Sequence, residues 1–290
     1  MIQESISIDN LPQNRSVTAL TGKAARYAIC TLLALVIVTP LLIAVFGGFR
    51  DNGALQRRPI ALPSPWIFSN YWDILSTASF WRQVFNSVTI MMLTTVMVLS
   101  LASSAAFVLS RMQFRGRETI FNFITIGLLF PLPVAILPLY LLLRQLQLVD
   151  TLWGIILPQV AFGLPWNVLL LRSFFTAVPR ELEDAAYVDG ATPLQFMVRI
   201  LLPLVKPALA AVAVLTMVSS WNNFFLPLVV LNSDNLWPLP LGVIQFRGEF
   251  STDWARVLAF VSLAIVPAVG FYLAAERQIV AGLTTGSIKG

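Results

Sequence analysis

Histidine is absent from this chain, and cysteine occurs once, as Cys30. The first absence removes the most common general base and metal ligand, and a single thiol cannot form an internal disulfide. We therefore predict no catalytic residue and no metal site. Charged residues are also scarce, at 11% of 290 residues against about a quarter in soluble domains. This scarcity excludes an ordinary soluble protein.

Hydrophobic residues dominate instead, at 57% of the chain, which is typical of a multi-pass membrane protein. The net charge of +5 suits a positive cytoplasmic face, and no basic patch interleaved with aromatic residues predicts nucleic-acid binding. Membrane lipid is the expected surrounding of most of the chain.

Six apolar runs each approach the roughly 20 residues that cross about 30 Å of hydrocarbon as a helix. They are Tyr27–Phe49, Phe85–Leu109, Ile120–Leu143, Trp153–Phe175, Ala208–Leu231 and Val257–Ala275. The sequence therefore predicts an all-α fold with six transmembrane helices. Lys and Arg favour the loops on the side of the N-terminus, most clearly in SRMQFRGRE, so both termini are predicted to be cytoplasmic. The predicted domains are a cytoplasmic tail (1–26), a six-helix transmembrane domain (27–278) and a second cytoplasmic tail (279–290).

Prolines are frequent within these runs, and each removes a backbone hydrogen bond and bends or breaks a helix. They are Pro40, Pro131, Pro133, Pro138, Pro158, Pro165, Pro227 and Pro267. Two interpretations stay open: ordinary kinks in a helix bundle, or bent helices around a pathway.

The stretch from Pro179 to Pro207, PRELEDAAYVDGATPLQFMVRILLPLVKP, is unusually polar and lies between two apolar runs. Pro179 suits the first position of a helix. Acidic residues then fill the first turn, where they complement the helix dipole. They are Glu181, Glu183 and Asp184. We therefore predict a short helix at the start of this stretch.

A second helix is predicted after a turn at Gly190, which has no Cβ penalty, with Thr192 as its cap. On the first helix, a face with mostly small side chains, which a partner can approach closely, holds Leu182, Ala185, Ala186 and Asp189. The pattern predicts two short helices lying along the cytoplasmic face. The alternative is an amphipathic loop that rests on the membrane surface.

The segment ELEDAAYVDGATPLQFMVRILLPLVKPAL resembles the EAA loop in permease subunits of binding-protein-dependent ABC importers. It is most similar to the MalG-like second subunit of the carbohydrate importers. Three more blocks resemble this family: PLYLLLRQLQLVDTLWGIILP, SSWNNFFLPLVVL and ERQIVAGLTTGSIKG. Two positions depart from it. Asp184 replaces the glutamate before the two alanines and is one methylene shorter, and Glu276 stands where the sugar importers more often have glutamine.

The resemblance implies an ABC importer type I permease fold in the bacterial inner membrane. It implies that the loop 179–207 docks into a cleft on a cytoplasmic ATPase subunit, and that the C-terminal tail also reaches the ATPase pair. The loop residues are Glu181, Glu183, Asp184, Ala185, Ala186, Asp189 and Gly190, and the tail residues are Gly282, Thr284, Gly286 and Lys289. The implied partners are a second permease subunit in a heterodimer, two ATPase subunits and an extracytoplasmic sugar-binding protein. The binding protein would touch the loop Asn232–Arg256.

The expected function is import of a sugar, either a mono- or oligosaccharide or a related polyol or glycerol phosphate. The chain has no G-x-x-x-x-G-K-[ST] phosphate-binding loop, so ATP must be hydrolysed by another subunit. We therefore expect this chain to be no enzyme and to bind no cofactor, with ATP and Mg used by the partner ATPase.

The apolar runs contain no ionisable residue that we place near the bilayer centre, where ion-coupled carriers usually keep one. The pathway instead offers neutral amides and hydroxyls, which together with aromatic rings in the fifth run suit an uncharged sugar. These polar residues are Asn122, Gln159, Asn167, Ser219, Ser220, Asn222 and Asn223. The predicted pathway residues are Ser220, Trp221, Asn222, Asn223 and Phe225. The alternative is that Asn222 and Asn223 only bridge helices.

Three other functions compete with this prediction. The first is an ion-coupled or facilitative secondary carrier of a neutral solute, which would work without ATP. The second is a membrane enzyme, for which the sequence supplies no convergent set of acids, histidines or nucleophile. The third is a scaffold without transport, which would not need the proline-rich runs.

Overall fold

The chain forms an all-α structure, seen in a computed structural model that describes residues 14–248 and 251–285. Within these ranges there is no strand, only an isolated β-bridge between Arg247 and Thr252. The α-helices, numbered in chain order, are α1 Asn14–Gly48, α2 Asn52–Arg57, α3 Ser69–Ser76, α4 Ala78–Arg111, α5 Arg117–Ile126, α6 Leu132–Gln145, α7 Trp153–Ala177, α8 Glu181–Val188, α9 Pro193–Phe196, α10 Leu202–Leu204, α11 Lys206–Trp221, α12 Phe225–Val230 and α13 Trp254–Thr285. Short 3-10 helices cover Gly127–Leu129, Asp234–Leu236 and Leu239–Phe246, and a π-helical turn covers Met197–Leu201.

Four helices are long and apolar enough to cross a membrane. They are α1 from Ala25 onward, α4, α7 and α13 over Trp254–Phe271. These confirm the first, second, fourth and sixth predicted spans, with ends shifted by a few residues. Pro158 and Pro165 both lie inside α7, which stays continuous over its 25 residues. Helix α7 therefore accommodates both prolines without a break, as in an ordinary helix bundle.

The third predicted span is sharply bent rather than straight. The segment Arg117–Leu129 meets α6 at an angle of 103°. At the bend Phe130 and Pro131 are extended, with ψ of 106° and 133°. Pro131 lacks a backbone N–H and disfavours helical geometry at the residue before it, which explains the break. The pair counts as one span only if both arms are taken together.

The fifth predicted span, Ala208–Leu231, is wrong as a single helix. Helix α11 ends at Trp221, and α12 begins at Phe225 after a break. The 16 residues of α11 cover roughly 24 Å, less than the bilayer core. The segment Pro193–Leu204 meets α11 at 80°, so a second bent pair completes a maximum of six spans.

Helix α4 is the centre of the packing and contacts α3, α5, α7 and α11. At its C-terminal end, Phe107 packs with Phe175 and Phe196 in one buried cluster. At its N-terminal end, Phe80 packs with Phe260 and Trp221 in another. By contrast, α1 packs on α13 and leaves most of its apolar side chains exposed, as expected for a helix that faces lipid.

The segments at the N-terminal end of α4 contain short helices and pack on the rest of the chain. The segment 50–83 holds α2, α3 and the start of α4. The segment 232–239 folds back onto α4: Asn86 Nδ2 donates to the Asn235 and Trp237 carbonyls at 2.9 and 3.1 Å, and Ser87 Oγ accepts from the Leu239 N–H at 2.8 Å. This end is remote from Arg111, because α4 is roughly 50 Å long.

The predicted boundaries of the terminal tails fall within helices. Helix α1 already runs from Asn14, and α13 continues to Thr285. No break therefore separates 1–26 or 279–290 from the transmembrane domain in the residues that the structure describes.

Candidate functional site

The loop 179–192 forms a compact element beside the C-terminal ends of α4 and α7. Helix α8 begins at Glu181, with Arg180 as its N-cap, so Pro179 lies just outside the helix rather than at its first position. The first turn contains three acids, as predicted: Glu181, Glu183 and Asp184. They lie at the positive end of the helix dipole, which stabilises them there.

Gly190 makes the turn that ends α8. Its φ is +82°, in the left-handed region where a Cβ causes strain. The Gly190 N–H donates to the Tyr187 carbonyl at 3.1 Å, and the Ala191 N–H donates to the Ala186 carbonyl at 2.9 Å. These two bonds form a Schellman motif, which satisfies carbonyls at the end of the helix. The predicted glycine turn is confirmed.

Thr192 starts the second helix with a capping box. Its Oγ1 accepts from the Gln195 N–H at 3.3 Å, and Gln195 Oε1 accepts from the Thr192 N–H at 2.8 Å. Pro193 occupies the first helical position. The Thr192 cap was predicted, and the capping box satisfies donors that a helix start leaves open. The turn between the helices is thus closed by hydrogen bonds on both sides.

On the predicted face of α8, Leu182, Ala185 and Asp189 are exposed and only Ala186 is buried. Glu181, Asp184, Ala185 and Val188, one helical turn apart, point away from the rest of the chain, with Val188 87% exposed. Ala186 is buried in the cluster with Phe107 and Phe175 and faces the interior. The two alanines therefore do different things: one is open to solvent, and the other holds the helix down.

Glu183 also faces inward, where it meets a buried arginine. Its carboxylate lies 3.4 Å from Arg111 Nη1, with the two side chains 12% and 2% exposed. The Tyr187 hydroxyl donates to Glu183 Oε1 at 2.9 Å. Partial burial, and then this bond to the carboxylate, raise the pKa of Tyr187 to about 12, so the phenol stays protonated as a donor.

A second arginine, Arg172, ties α7 to α4 and α5. Arg172 Nε donates to the Leu109 carbonyl at 3.1 Å, and its Nη2 lies 2.6 Å from Glu118 Oε1. Its guanidinium also lies 3.8 Å from the centre of the Phe121 ring. The sequence pattern counted Arg111 and Arg172 only as charges on the cytoplasmic side. Arg111 lies in the last turn of α4, where a cation can bind free carbonyls, whereas Arg172 lies inside α7 and gave no such signal.

A cleft of about 490 Å³ lies between α4, α7 and α11. Its lining carries hydroxyl and amide groups together with two aromatic rings. These residues are Thr94, Gln159, Phe162, Trp166, Asn167, Thr216, Ser219, Ser220 and Asn223. None of the residues that line the cleft is charged.

Gln159 organises the polar side of the cleft. Its Oε1 accepts from Ser220 Oγ at 2.6 Å and from Thr94 Oγ1 at 3.3 Å. Deeper in the wall, Asn167 Nδ2 donates to the Gly163 carbonyl at 2.8 Å, which leaves its buried Oδ1 without a partner. The buried Thr216 Oγ1 also has no partner. Buried polar atoms that lack a hydrogen bond are costly, so this wall is suited to a polar guest or water.

The five predicted pathway residues separate in the structure. Ser220 and Asn223 line the cleft. Trp221 points to the opposite side of α11, where its ring lies 5.4 Å from that of Phe271, and Asn222 lines the same small hollow as Trp221. Phe225 is half exposed and does not line the cleft. Phe162 and Trp166 supply the aromatic rings there instead.

Asn223 makes a local hydrogen bond, which is not the predicted bridge between helices. Asn223 Oδ1 accepts from the Leu226 N–H at 3.3 Å and so supports the start of α12 within its own segment.

Of the predicted tail residues, Gly282 and Thr284 lie in α13, and Gly286 and Lys289 lie outside the described residues. Within those ranges, no group of three His, Cys, Asp or Glu residues is placed to hold a metal ion.

Comparison with known proteins identifies the family. Residues 98–278 match the binding-protein-dependent transport system inner membrane component family. The chain is 32% identical over 274 residues to the probable ABC transporter permease protein YurM of Bacillus subtilis, covering 93% of this chain and 89% of the relative. It is 36% identical over 262 residues to the arabinooligosaccharide transport system permease protein AraQ of Halalkalibacterium halodurans, covering 89% and 93%.

Solved structures show the same fold. A chain of a bacterial ABC transporter involved in the import of alginate has a TM-score of 0.78 at 24% identity, covering 92% of this chain and 99% of that chain. A chain of the MetNI methionine ABC transporter has a TM-score of 0.54 at 18% identity, covering 70% and 93%. The helices, the bent pairs and the loop that carries α8 therefore form the fold of an ABC importer permease. The chain belongs to the family of inner membrane components of binding-protein-dependent transport systems, as a permease subunit that crosses the membrane several times.

Proposed function

We propose that this chain is one of two different permease subunits in an ATP-driven importer of uncharged sugars, and that α8 docks on a separate ATPase subunit. The observation that carries this proposal is the exposed face of α8, held by a glycine turn and a capping box. A rigid, exposed helix that is fixed to the ends of two membrane helices can transfer movement from a soluble partner to the pore.

The docking face combines acids with apolar side chains. Glu181 and Asp184 offer negative charge to basic groups on a partner, while Val188 and Leu182 offer exposed apolar surface, 87% and 43% exposed. Interfaces that mix a charged rim with apolar contacts are common in transient complexes. Asp184 is shorter than the glutamate of the family pattern, so its partner must approach more closely. Glu183 and Ala186 support the helix from within.

The end of α4 that carries α8 is proposed to be the cytoplasmic one. The loop 112–116, which contains Arg115, lies at the same end of α4 as α8, and this arginine-rich end is cytoplasmic under the preference of Lys and Arg for that side. Both termini are then cytoplasmic, in the inner membrane of a bacterium. The segment 232–256 lies at the opposite end of α4, where a solute-binding protein would deliver its cargo. ATP and Mg act in the partner ATPase.

The cleft indicates the class of solute. Its hydroxyl and amide groups, its two aromatic rings and its lack of charge match a polyhydroxylated, uncharged molecule. Relatives are named for the transport of arabinooligosaccharides, diacetylchitobiose and trehalose. We propose that Ser220 and Asn223 contact the passing sugar together with Gln159, Asn167 and Thr216, and that Trp221 and Phe225 do not. Polyols fit the same chemistry.

The test is transport by the complex purified through a tag on this chain and reconstituted in vesicles. We expect an ATPase subunit and a second permease subunit to copurify. In the presence of the binding protein, we expect ATP-dependent uptake of labelled trehalose, diacetylchitobiose or an arabinooligosaccharide. Uptake that persists without the ATPase would instead support a secondary carrier.

A further inference from the structure

The side chain of Arg111 connects α4 to the end of α7 and to α8, which lie at least 64 residues later in the chain. It ends α4, yet it is only 2% exposed. Its Nη2 donates to the carbonyls of Phe175 and Val178, the latter at 2.7 Å, and its Nη1 lies 3.4 Å from Glu183 Oε2. We call this set the Arg111 hub: Arg111, Glu183 and the carbonyls of Phe175 and Val178. It joins α4, the end of α7 and α8.

Each contact in the hub has a physical cause. Carbonyls at the end of a helix carry partial negative charge, which a guanidinium satisfies. The Phe175 carbonyl accepts from the Val178 N–H at 3.3 Å and also from Arg111. The Glu183 carboxylate neutralises the buried cation, and Tyr187 holds that carboxylate from its other oxygen. A buried charge that loses its partner is strongly destabilised, so the three elements favour one arrangement.

The hub is the charged link between α8 and the membrane helices. The other contacts of this part of α8 are apolar, with Ala186 against the cluster of Phe107 and Phe196. Apolar surfaces allow sliding, whereas a planar guanidinium that bonds in several directions fixes distance and angle. A displacement of α8 is therefore passed to α4 and α7 together, and these two helices line the cleft.

We propose that Arg111 is a positioning residue that transmits the movement of α8 to the cleft, and that Glu183 serves the hub rather than the ATPase surface. This inference rests on the proposed docking of α8 on an ATPase. It adds that the transmission depends on a buried arginine that belongs to α4, outside the docking loop.

The test follows the opening of the cleft without requiring a known solute. Leu215, which lines the cleft and is 41% exposed, is replaced by Cys in a Cys30→Ser background. The labelling rate by a water-soluble maleimide is measured in the intact complex without nucleotide and after trapping with ATP and vanadate. With Arg111 in place, we expect trapping to change the rate at least tenfold.

With Arg111→Met we expect the change to fall below twofold, although the ATPase still copurifies. Lys is a compact point charge that cannot reproduce the fork of bonds, so Arg111→Lys should give an intermediate change. Glu183→Gln keeps the shape but not the charge, and it should also reduce the effect. The matched control is Arg115→Met, on the exposed loop of the same end, which should behave as the parent.

A tenfold change that persists in Arg111→Met overturns the proposal. So does a Glu183→Gln variant with the parental response, which decides the case if Arg111→Met fails to accumulate in the membrane. A purely structural Arg111 would lower the yield and thermal stability of the complex but leave the response of the surviving complex intact. No response to nucleotide in the parent would contradict the docking of α8, and the hub with it, and is distinguishable from a loss confined to the hub variants.

Discussion

Gly190 and Gly116 both have a positive φ, but they lie in different turns. Their φ values are +82° and +91°, and a Cβ added at either would meet nothing within 4 Å. Replacement at each position therefore costs backbone strain alone, about 1–2 kcal/mol. Only Gly190, however, lies in the turn that ends α8, so the pair separates strain from function.

Gly190→Leu is expected to uncouple ATP hydrolysis from transport or to block assembly with the ATPase, while membrane insertion continues. Gly116→Leu is the matched control and should keep coupling despite similar strain. Both are checked by copurification and by uptake per ATP hydrolysed. Normal uptake in Gly190→Leu would contradict the role given to this turn.

Asp150 has a backbone geometry that the sequence did not predict. It has a φ of +59° and follows α6, and its Oδ1 accepts from the N–H groups of Asn232 and Ser233 at 2.9 and 2.8 Å. The Ser233 hydroxyl donates to the other carboxylate oxygen. These bonds, with the Ser233 hydroxyl first, lower the pKa of Asp150. The carboxylate thus fixes the start of the segment 232–248.

Because the folded pKa of Asp150 lies below the unfolded value of about 3.9, its contribution to stability is complete above that value and is lost as pH falls through the folded pKa. Asp150→Asn should therefore lower the thermal midpoint at neutral pH and flatten its decline in acid. Thermal unfolding of the purified protein against pH checks this. Asp234→Asn, an exposed neighbour, should leave both features unchanged.

At the scale of elements, local chemistry predicted the loop 179–207 well and the membrane helices less well. The glycine turn and the Thr192 cap need only neighbouring residues, so the pattern located them. The Asn222–Phe224 break and the inward direction of Glu183 depend on what the chain packs against. The apolar run 208–231 gave no sign of the break, because hydropathy is insensitive to a change of direction. The prolines were equally ambiguous: Pro131 bends its helix, whereas Pro158 does not.

The capping box determines whether the second short helix is well formed. Thr192→Ala removes one of its two bonds and should cost about 1 kcal/mol, whereas Thr192→Ser keeps the hydroxyl and should cost little. Hydrogen exchange of the backbone amides over 194–196, above all that of Gln195, should become faster in the alanine variant only. Equal exchange in both variants would mean that the cap contributes nothing here.

The packing of the segment 232–248 on α4 and α13 depends on a close approach at Gly242. A Cβ there would lie 2.6 Å from Phe260 Cζ and would also collide with Gln83. Gly242→Ala should therefore destabilise the protein by about 1–3 kcal/mol. Gly270→Ala, in α13 with open space around it, should be neutral or slightly stabilising. The thermal midpoint should fall in Gly242→Ala and should stay level or rise slightly in Gly270→Ala.

At the scale of the whole molecule, the two working ends lie at opposite ends of α4. The Arg111 hub joins α8 to α4 and α7 at one end, and Asn86 and Ser87 hold the segment 232–239 at the other. The cleft lies between them, against α11. A single long helix thus connects the proposed ATPase surface, the solute pathway and the proposed surface for a binding protein.

The most direct measurement of the central claim is the labelling of a cysteine at Val188, which is 87% exposed on the outer face of α8. Cys30 is the single native cysteine, so Val188→Cys in a Cys30→Ser background carries one reactive thiol. We predict that a membrane-impermeant maleimide labels it in inside-out vesicles, not in right-side-out vesicles, and that the ATPase subunit protects it. Labelling from the outer side, or labelling that the ATPase leaves unchanged, would contradict the account.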